Sequence, residues 1–143
     1  MKKEELILAA FGASKIHSYE PVQIQKLIFI FQKRASQLFE VEPFDFRAYD
    51  YGPFSVDIYS CLDELAAEGY IIIEGEPFSR YRRYCLSESG KEKAISFLGL
   101  ITEPYKKYLC QLVNWIQYLS FSQIVGAVYK EFPEMRAHSV FRD

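Results

Sequence analysis

The chain has 143 residues, enough for one domain with a single sizeable core, and its net charge is −2. Half of it is hydrophobic and a quarter charged, the mix of an ordinary globular protein, and no global positive field exists to draw in nucleic acid. The aromatic share is high, with 11 Tyr, 12 Phe and 1 Trp making 17%, and such a surplus suits a protein that keeps a partner surface beside its core.

Residues Lys3 to about Ala13 read as a first helix, with Leu6, Ile7, Ala10 and Phe11 at helical spacing and Gly12 and Ser14 weakening its end. The stretch "SYEPVQIQKLIFIFQKRASQLF" is the clearest helix. Ile24, Leu27, Ile28, Phe31, Ala35 and Leu38 form a core-facing stripe. Phe29 and Ile30 widen that stripe, so the helix is expected to be buried on most sides. Ser18 is the candidate cap, and Pro21 suits the first turn, where a missing N–H is tolerated. "VEPFDFRAYDY" alternates around Phe44, Phe46 and Ala48 and predicts a short strand. Gly52-Pro53 is expected to stop that strand and start a helix from Pro53 to Glu68. Its apolar face is Ile58, Cys61, Leu62 and Leu65, and Gly69 ends it.

"YIIIEGEPFSRYRRYCLS" reads as a β-hairpin, with "YIII" as one strand, "EGEPFS" as the turn and "RYRRYCL" as the return. "SESGKEKA" opens another helix capped by Ser87, with Gly90 a weak spot near its start. "TEPYKKYLCQLVNWIQYL" is amphipathic on Tyr105, Tyr108, Leu109, Leu112, Ile116 and Leu119. Ser120 restarts the chain into "FSQIVGAVYKEF", which ends at Pro133, and the tail "PEMRAHSVFRD" is too short to assign. The fold class is therefore α+β and mostly helical. The order helix, helix, strand, helix, strand, strand, helix is that of a winged helix-turn-helix with a small antiparallel sheet and a C-terminal helical extension. Residues 1–98 would form the winged-helix core, and the helices of 99–143 would pack on the same domain.

Two resemblances support that order. "YCLSESGKEKA" resembles the end of the wing in many winged-helix regulators, where the return strand runs into a Gly-containing helix start. Gln25-Lys26-Leu27-Ile28-Phe29, followed by Tyr51-Gly52-Pro53 and an acidic helix, is similar to the Panacea-type, phage-associated winged-helix proteins and their uncharacterised bacterial and archaeal relatives. Many of that group act as antitoxins. The resemblance implies a winged-helix scaffold with no known catalytic centre, which neutralises a paired toxin by direct protein contact.

In a winged helix the middle helix normally enters a DNA groove. Here, Pro53 to Glu68 carries Asp57, Asp63, Glu64 and Glu68 with no Lys or Arg. DNA binding depends on cations that neutralise phosphates, and base reading favours Arg, Lys, Asn and Gln, so this helix is a poor reader. Outside its core face it leaves Asp57, Ser60, Glu64 and Ala67. The wing differs: Arg80, Arg82, Arg83, Lys91 and Lys93 outnumber Glu88 and Glu92 by three charges. Strand alternation would put Arg80 and Arg82 on one face and Arg83 on the other. These arginines are candidate contacts to a partner's carboxylates or to phosphates, and the plainer alternative is an edge whose charge discourages aggregation. Tyr49, Asp50 and Tyr51 beside the Gly-Pro break are the other candidate partner contacts, against the simpler reading that the break only sets a turn.

Other constellations carry less. Ser55 and Asp57 are two apart, so they are expected to cap and charge a helix start. His17 and His138 stand in no metal-ligand or nucleophile motif, and Cys61 reads as a small buried hydrophobe. No catalytic residue, metal or cofactor is expected, and an enzyme is the least favoured class. Trp115, Tyr108, Phe121 and Tyr129 are a candidate aromatic surface on the C-terminal helices, and the helix of 103–119 is a candidate homodimer interface. The three cysteines, Cys61, Cys85 and Cys110, lie far apart and argue against a disulfide framework. The start lacks the apolar run and cleavage site of a signal peptide, and no stretch matches a membrane span, so the cytoplasm is expected. The expected function is a non-enzymatic binding module whose partner is a protein, a toxin or phage-defence component. The alternatives are a DNA-binding regulator that uses the basic wing, and a structural subunit of a larger complex.

Overall fold

Leu6 to Phe11 are all apolar, and a helix that is apolar all round must be enclosed. In the computed structural model, which describes residues 1–142, helix α1 (Lys3–Ala13) buries the whole run. The expected stripe of Leu6, Ile7, Ala10 and Phe11 is thus only part of its buried surface. The reason is tertiary: α1 packs against α3 (Val56–Ala67), α4 (Glu88–Leu100) and α5 (Tyr105–Gln117). Gly12 lies within α1. A Cβ there would stand 2.8 Å from the Ala94 carbonyl oxygen, so its absence lets α1 and α4 meet backbone to backbone.

Helix α2 (Pro21–Arg34) buries every residue from Pro21 to Gln32. Its cap is a correction to the sequence reading. The helix opens at Glu20, whose N–H donates to Gln23 Oε1 at 2.7 Å, while Ser18 belongs to a two-residue strand, β1 (Ser18–Tyr19). Two residues show no periodicity, and β1 exists only because β5 (Arg83–Leu86) lies beside it. At its other end α2 stops at Arg34, and Ser36–Leu38 forms a 3-10 turn that carries Leu38 off the stripe.

The Gly-Pro break is the second correction. Strand β2 (Arg47–Tyr49) turns through Asp50 and Tyr51 into β3 (Gly52–Phe54), with Tyr49 opposite Gly52 and Ala48 opposite Pro53. Pro53 is thus a strand residue, tolerated because this two-stranded ribbon is all edge. The following helix starts only at Val56. Gly52 takes φ +100°, and a Cβ on it would press on the Tyr129 ring at 3.2 Å. Gln25 holds the link to α3, its Oε1 accepting from Ser55 N and its Nε2 donating to Ser55 O, both at 2.9 Å. Along α3 the expected face, Ile58, Cys61, Leu62 and Leu65, is buried, and Gly69 ends the helix region at φ +86°.

The return strand of the wing is shorter than the sequence suggests. β4 (Ile71–Glu74) pairs antiparallel with β5, Glu74 opposite Arg83 and Ile71 opposite Leu86. Arg80 and Arg82 therefore lie in the connecting loop, and strand alternation does not set their directions. That loop folds back on itself through Ser79 N to Glu76 O and Arg82 N to Ser79 O, with Phe78 at φ +65°. The sheet order is β1-β5-β4.

Ser87 caps α4, its Oγ accepting from Gly90 N at 3.0 Å. Ser120 caps α6 (Phe121–Glu131) with a reciprocal pair: its Oγ accepts from Gln123 N, and its own N–H donates to Gln123 Oε1. α5 packs on α1 and α2, and α6 on α2 and β3. The tail, which carries no sequence signal, turns through Pro133–Arg136 and returns to the β2–β3 ribbon, where Val140 N donates to Asp50 O at 2.9 Å. The architecture is α+β and mostly helical, with six helices and a small antiparallel sheet among the described residues.

Candidate functional site

The first two turns of α2 place Lys26 one turn beyond Val22, and the folded protein makes both part of the wall of a groove. The groove holds about 540 Å³, within the range of small-ligand and peptide-side-chain sites. Its other walls are the β2–β3 turn, the open face of α3, the wing loop and the start of α6. Tyr49, Asp50 and Tyr51 line it from one side, and Arg80 and Arg82 from the other. These two candidate stretches are far apart in sequence, and the wing loop folds over to bring them together. Arg83 is elsewhere: on β5, its Nη2 donates to Ser18 Oγ at 2.8 Å, tying β5 to β1.

Two aromatic rows build the walls. In the first, Tyr49 stacks on Phe54, Phe54 meets Tyr59 edge-on, and Tyr59 stacks on Tyr84, with centroids 5.6, 5.3 and 6.3 Å apart. Arg82 lies over the Tyr84 ring at 5.6 Å. In the second row, Tyr51 meets Phe121 edge-on at 5.0 Å, and Arg80 lies over Phe121 at 4.8 Å and over Tyr81 at 5.1 Å. Burial pushes the Tyr59 phenol up to about 12, with the Tyr84 phenol adding to the rise, and burial also raises Tyr84. Both rings stay neutral near pH 7 and keep their O–H donors.

Lys26 forms the floor. Its side chain is 4% exposed, and its Nζ donates to the carbonyl oxygen of Pro53 at 3.1 Å. No carboxylate lies within salt-bridge reach of it among the described residues, and burial lowers its pKa to about 8. Arg82 lines the same groove, and its Nε is buried without an acceptor. The two carboxylates that line the groove, Asp50 and Asp63, are on exposed residues at its mouth. The floor is cationic, the walls are aromatic and the rim is mixed.

Lys26, Tyr59, Tyr84 and Asp63 escaped the sequence reading as site residues. A signal for Lys26 was present: a lysine inside a helix expected to be buried on most sides has to be accounted for. Tyr59 and Tyr84 carried none, since tyrosines on helices and strands more often pack in a core. Ser55 stands at the start of α3 as expected, but its hydroxyl makes no cap bond and is buried without a partner. Asp57 pairs with Lys3 at 3.4 Å. Cys61 is buried, which pushes its thiol up to about 12, the carboxylates of Glu4 and Glu64 adding to the shift.

The candidate aromatic surface on the C-terminal helices does not form as one patch. Tyr108 stacks on Phe31, Tyr129 lies against Phe141 and Phe121 joins the groove, which leaves Trp115 apart from all three. No cluster of three or more His, Cys, Asp or Glu fit to hold a metal occurs among the described residues, nor any helix long and apolar enough to cross a membrane. Compared with family models and with curated proteins, the chain matches none.

Proposed function

We propose that this chain is a non-enzymatic winged-helix binding module of the cytoplasm that acts through protein–protein contact, antitoxin-like in the manner of the Panacea-type group. Three helices, α1 to α3, with a strand between the first two that joins a two-stranded wing after the third, support the winged-helix reading. In it the β2–β3 ribbon is an insertion ahead of α3. The observation that carries the functional reading is the groove between that ribbon and the wing loop. Its rim presents Phe78, 99% exposed, beside Tyr49 and Tyr51, and Tyr81, 70% exposed, lies next to it against Arg80. Aromatic residues are enriched at protein-binding surfaces, and this exposed cluster of them supports that reading. The DNA-reading alternative is weaker. Arg80 and Arg82 lie against rings and Arg83 against Ser18, so the wing does not present them as one phosphate-facing row.

The test is an affinity capture of the tagged protein from its own cells, with nuclease and without, run beside the Tyr51→Ala/Arg80→Glu double variant. A stoichiometric protein partner that survives nuclease and is lost with the variant is expected. Recovery of nucleic acid alone, with a steep salt dependence, would move the assignment to DNA binding.

A further inference from the structure

We propose that the groove takes an acidic segment of the partner protein, seating one Asp or Glu carboxylate on Lys26 and Arg82 with its apolar neighbours against the two aromatic rows. This rests on the protein-contact reading and names the chemistry that the contact would use.

The argument begins with an imbalance inside the fold. An ammonium group is almost never fully buried unless it is paired, because leaving water costs it solvation that one neutral acceptor does not restore. Lys26 is 4% exposed and has one carbonyl oxygen, that of Pro53, against its three N–H donors. Arg82 lines the same groove with its Nε buried and lacking an acceptor. Two cations therefore line one space, Lys26 with two of its donors unused, and an anionic oxygen pair is the chemistry that complements both. The carboxylates of the groove itself, on Asp50 and Asp63, are exposed at the mouth, and neither reaches Lys26. There they would repel a second acid, so the site selects a single carboxylate at depth.

The walls fix what surrounds that carboxylate. The row Tyr49–Phe54–Tyr59–Tyr84 offers ring faces and edges to the groove, and Tyr51 with Phe121 adds a second ring pair. Apolar walls exclude water and so strengthen the ion pair they enclose. The exposed rim of Phe78 and Tyr81 continues this surface beyond the groove, more than a free small acid would cover. An extended segment of a protein covers both, with an acid at its centre and aromatic or aliphatic residues on either side. At Gly52 a Cβ would lie 3.8 Å from Lys26 Cε, so the ribbon backbone packs directly beside the lysine stem.

The experiment is selection of a phage-displayed random dodecapeptide library on the wild-type protein, followed by affinity measurements on synthetic copies of the recovered peptides. Recovered sequences are expected to share one Asp or Glu flanked by apolar residues. Replacing that acid by its amide should weaken binding by about tenfold or more, and so should Lys26→Met. Thermal unfolding of the Lys26→Met protein shows that it is folded, and Arg82→Gln supplies a second variant expected to weaken the same peptides. Basic or uncharged consensus sequences would overturn the inference, as would acidic peptides whose affinity ignores Lys26→Met. A third overturning outcome is that no peptide is selected, whether or not free 3-phenylpropionate binds at the Tyr59 and Tyr84 resonances. Each of these leaves the protein-contact reading standing if the cellular capture still returns a stoichiometric partner. Loss of that partner, with acidic peptides still bound through Lys26, overturns the cellular reading alone.

Discussion

Lys26 is the residue at which stability and function part. Its pKa of about 8 lies below the 10.5 of a solvated lysine, with burial as the cause. Below pH 8 the group is charged in both the folded and unfolded chain, and the fold bears the whole desolvation penalty, about 3 kcal/mol by linkage. Between pH 8 and 10.5 the unfolded chain holds a proton that the folded chain lacks, so stability rises with pH through that window. Lys26→Met is expected to gain about 2 kcal/mol at pH 7, the Pro53 hydrogen bond offsetting part of the relief, and to lose the rise. Urea unfolding from pH 7 to 9.5 checks both, stopping short of the tyrosine titrations. Gln25 is the opposite case. It bonds both backbone groups of Ser55, and Gln25→Ala leaves the buried N–H unpaired and the C=O with only the Ile58 N–H, a loss of about 1–3 kcal/mol readable in the same urea midpoint.

At the scale of elements, the β2–β3 ribbon is held from two directions. Beneath it, Gly52 meets Tyr129, whose hydroxyl hydrogen-bonds Ser139 Oγ at 2.6 Å. Across its turn, Val140 N and Ser139 Oγ both donate to Asp50 O, and Phe141 buries its ring against Tyr129. The tail is thus a strap over the turn that carries Tyr49 and Tyr51. Phe141→Ala is expected to destabilise the protein by about 2–4 kcal/mol and to speed amide exchange at Val140 before the helices exchange. Hydrogen exchange followed by mass spectrometry separates this local release from global unfolding. Gly52→Ala should cost about 1–3 kcal/mol, because an L side chain at φ +100° is strained and its Cβ has no room against Tyr129. A Tm no lower than that of the wild type would contradict the strap and the strain together.

For the whole molecule, the C-terminal helices are part of the core. Leu109, Val113 and Ile116 on α5, and Ile124, Val125 and Val128 on α6, are fully or almost fully buried with α1 and α2. A chain cut after residue 98 would open that face of α1 and α2 to water, and we expect it not to unfold cooperatively on heating. A single sharp transition in calorimetry of that fragment would show that residues 1–98 form a domain on their own.

Most elements were legible in the sequence: α1 as an apolar run, α2, α3, α5 and α6 by their periodicity, and the wing hairpin and α4 by turn and cap signals, with Ser87 and Ser120 at helix starts. They were legible because amphipathic spacing and caps are local, depending only on neighbours within a turn or two. The chemistry of the candidate residues was also written there, in the arginines of the wing and the tyrosines beside Gly52. Four features came only from the tertiary structure: the strand at Ser18, the strand character of Pro53, the folded-back wing loop and the strap of the tail. The strand at Ser18 and the strap depend on partners distant in the chain, β5 for Ser18 and the turn carbonyl of Asp50 for Val140, and no local pattern encodes such a partner. The groove is of that kind. Lys26, Tyr51 and Arg82 are ordinary residues singly, and only folding removes the lysine from water and sets it beneath the rings. Which side chains meet is a property of the whole molecule, which is why a lysine inside a buried helix could be read in advance and the rings and arginine that share its groove could not.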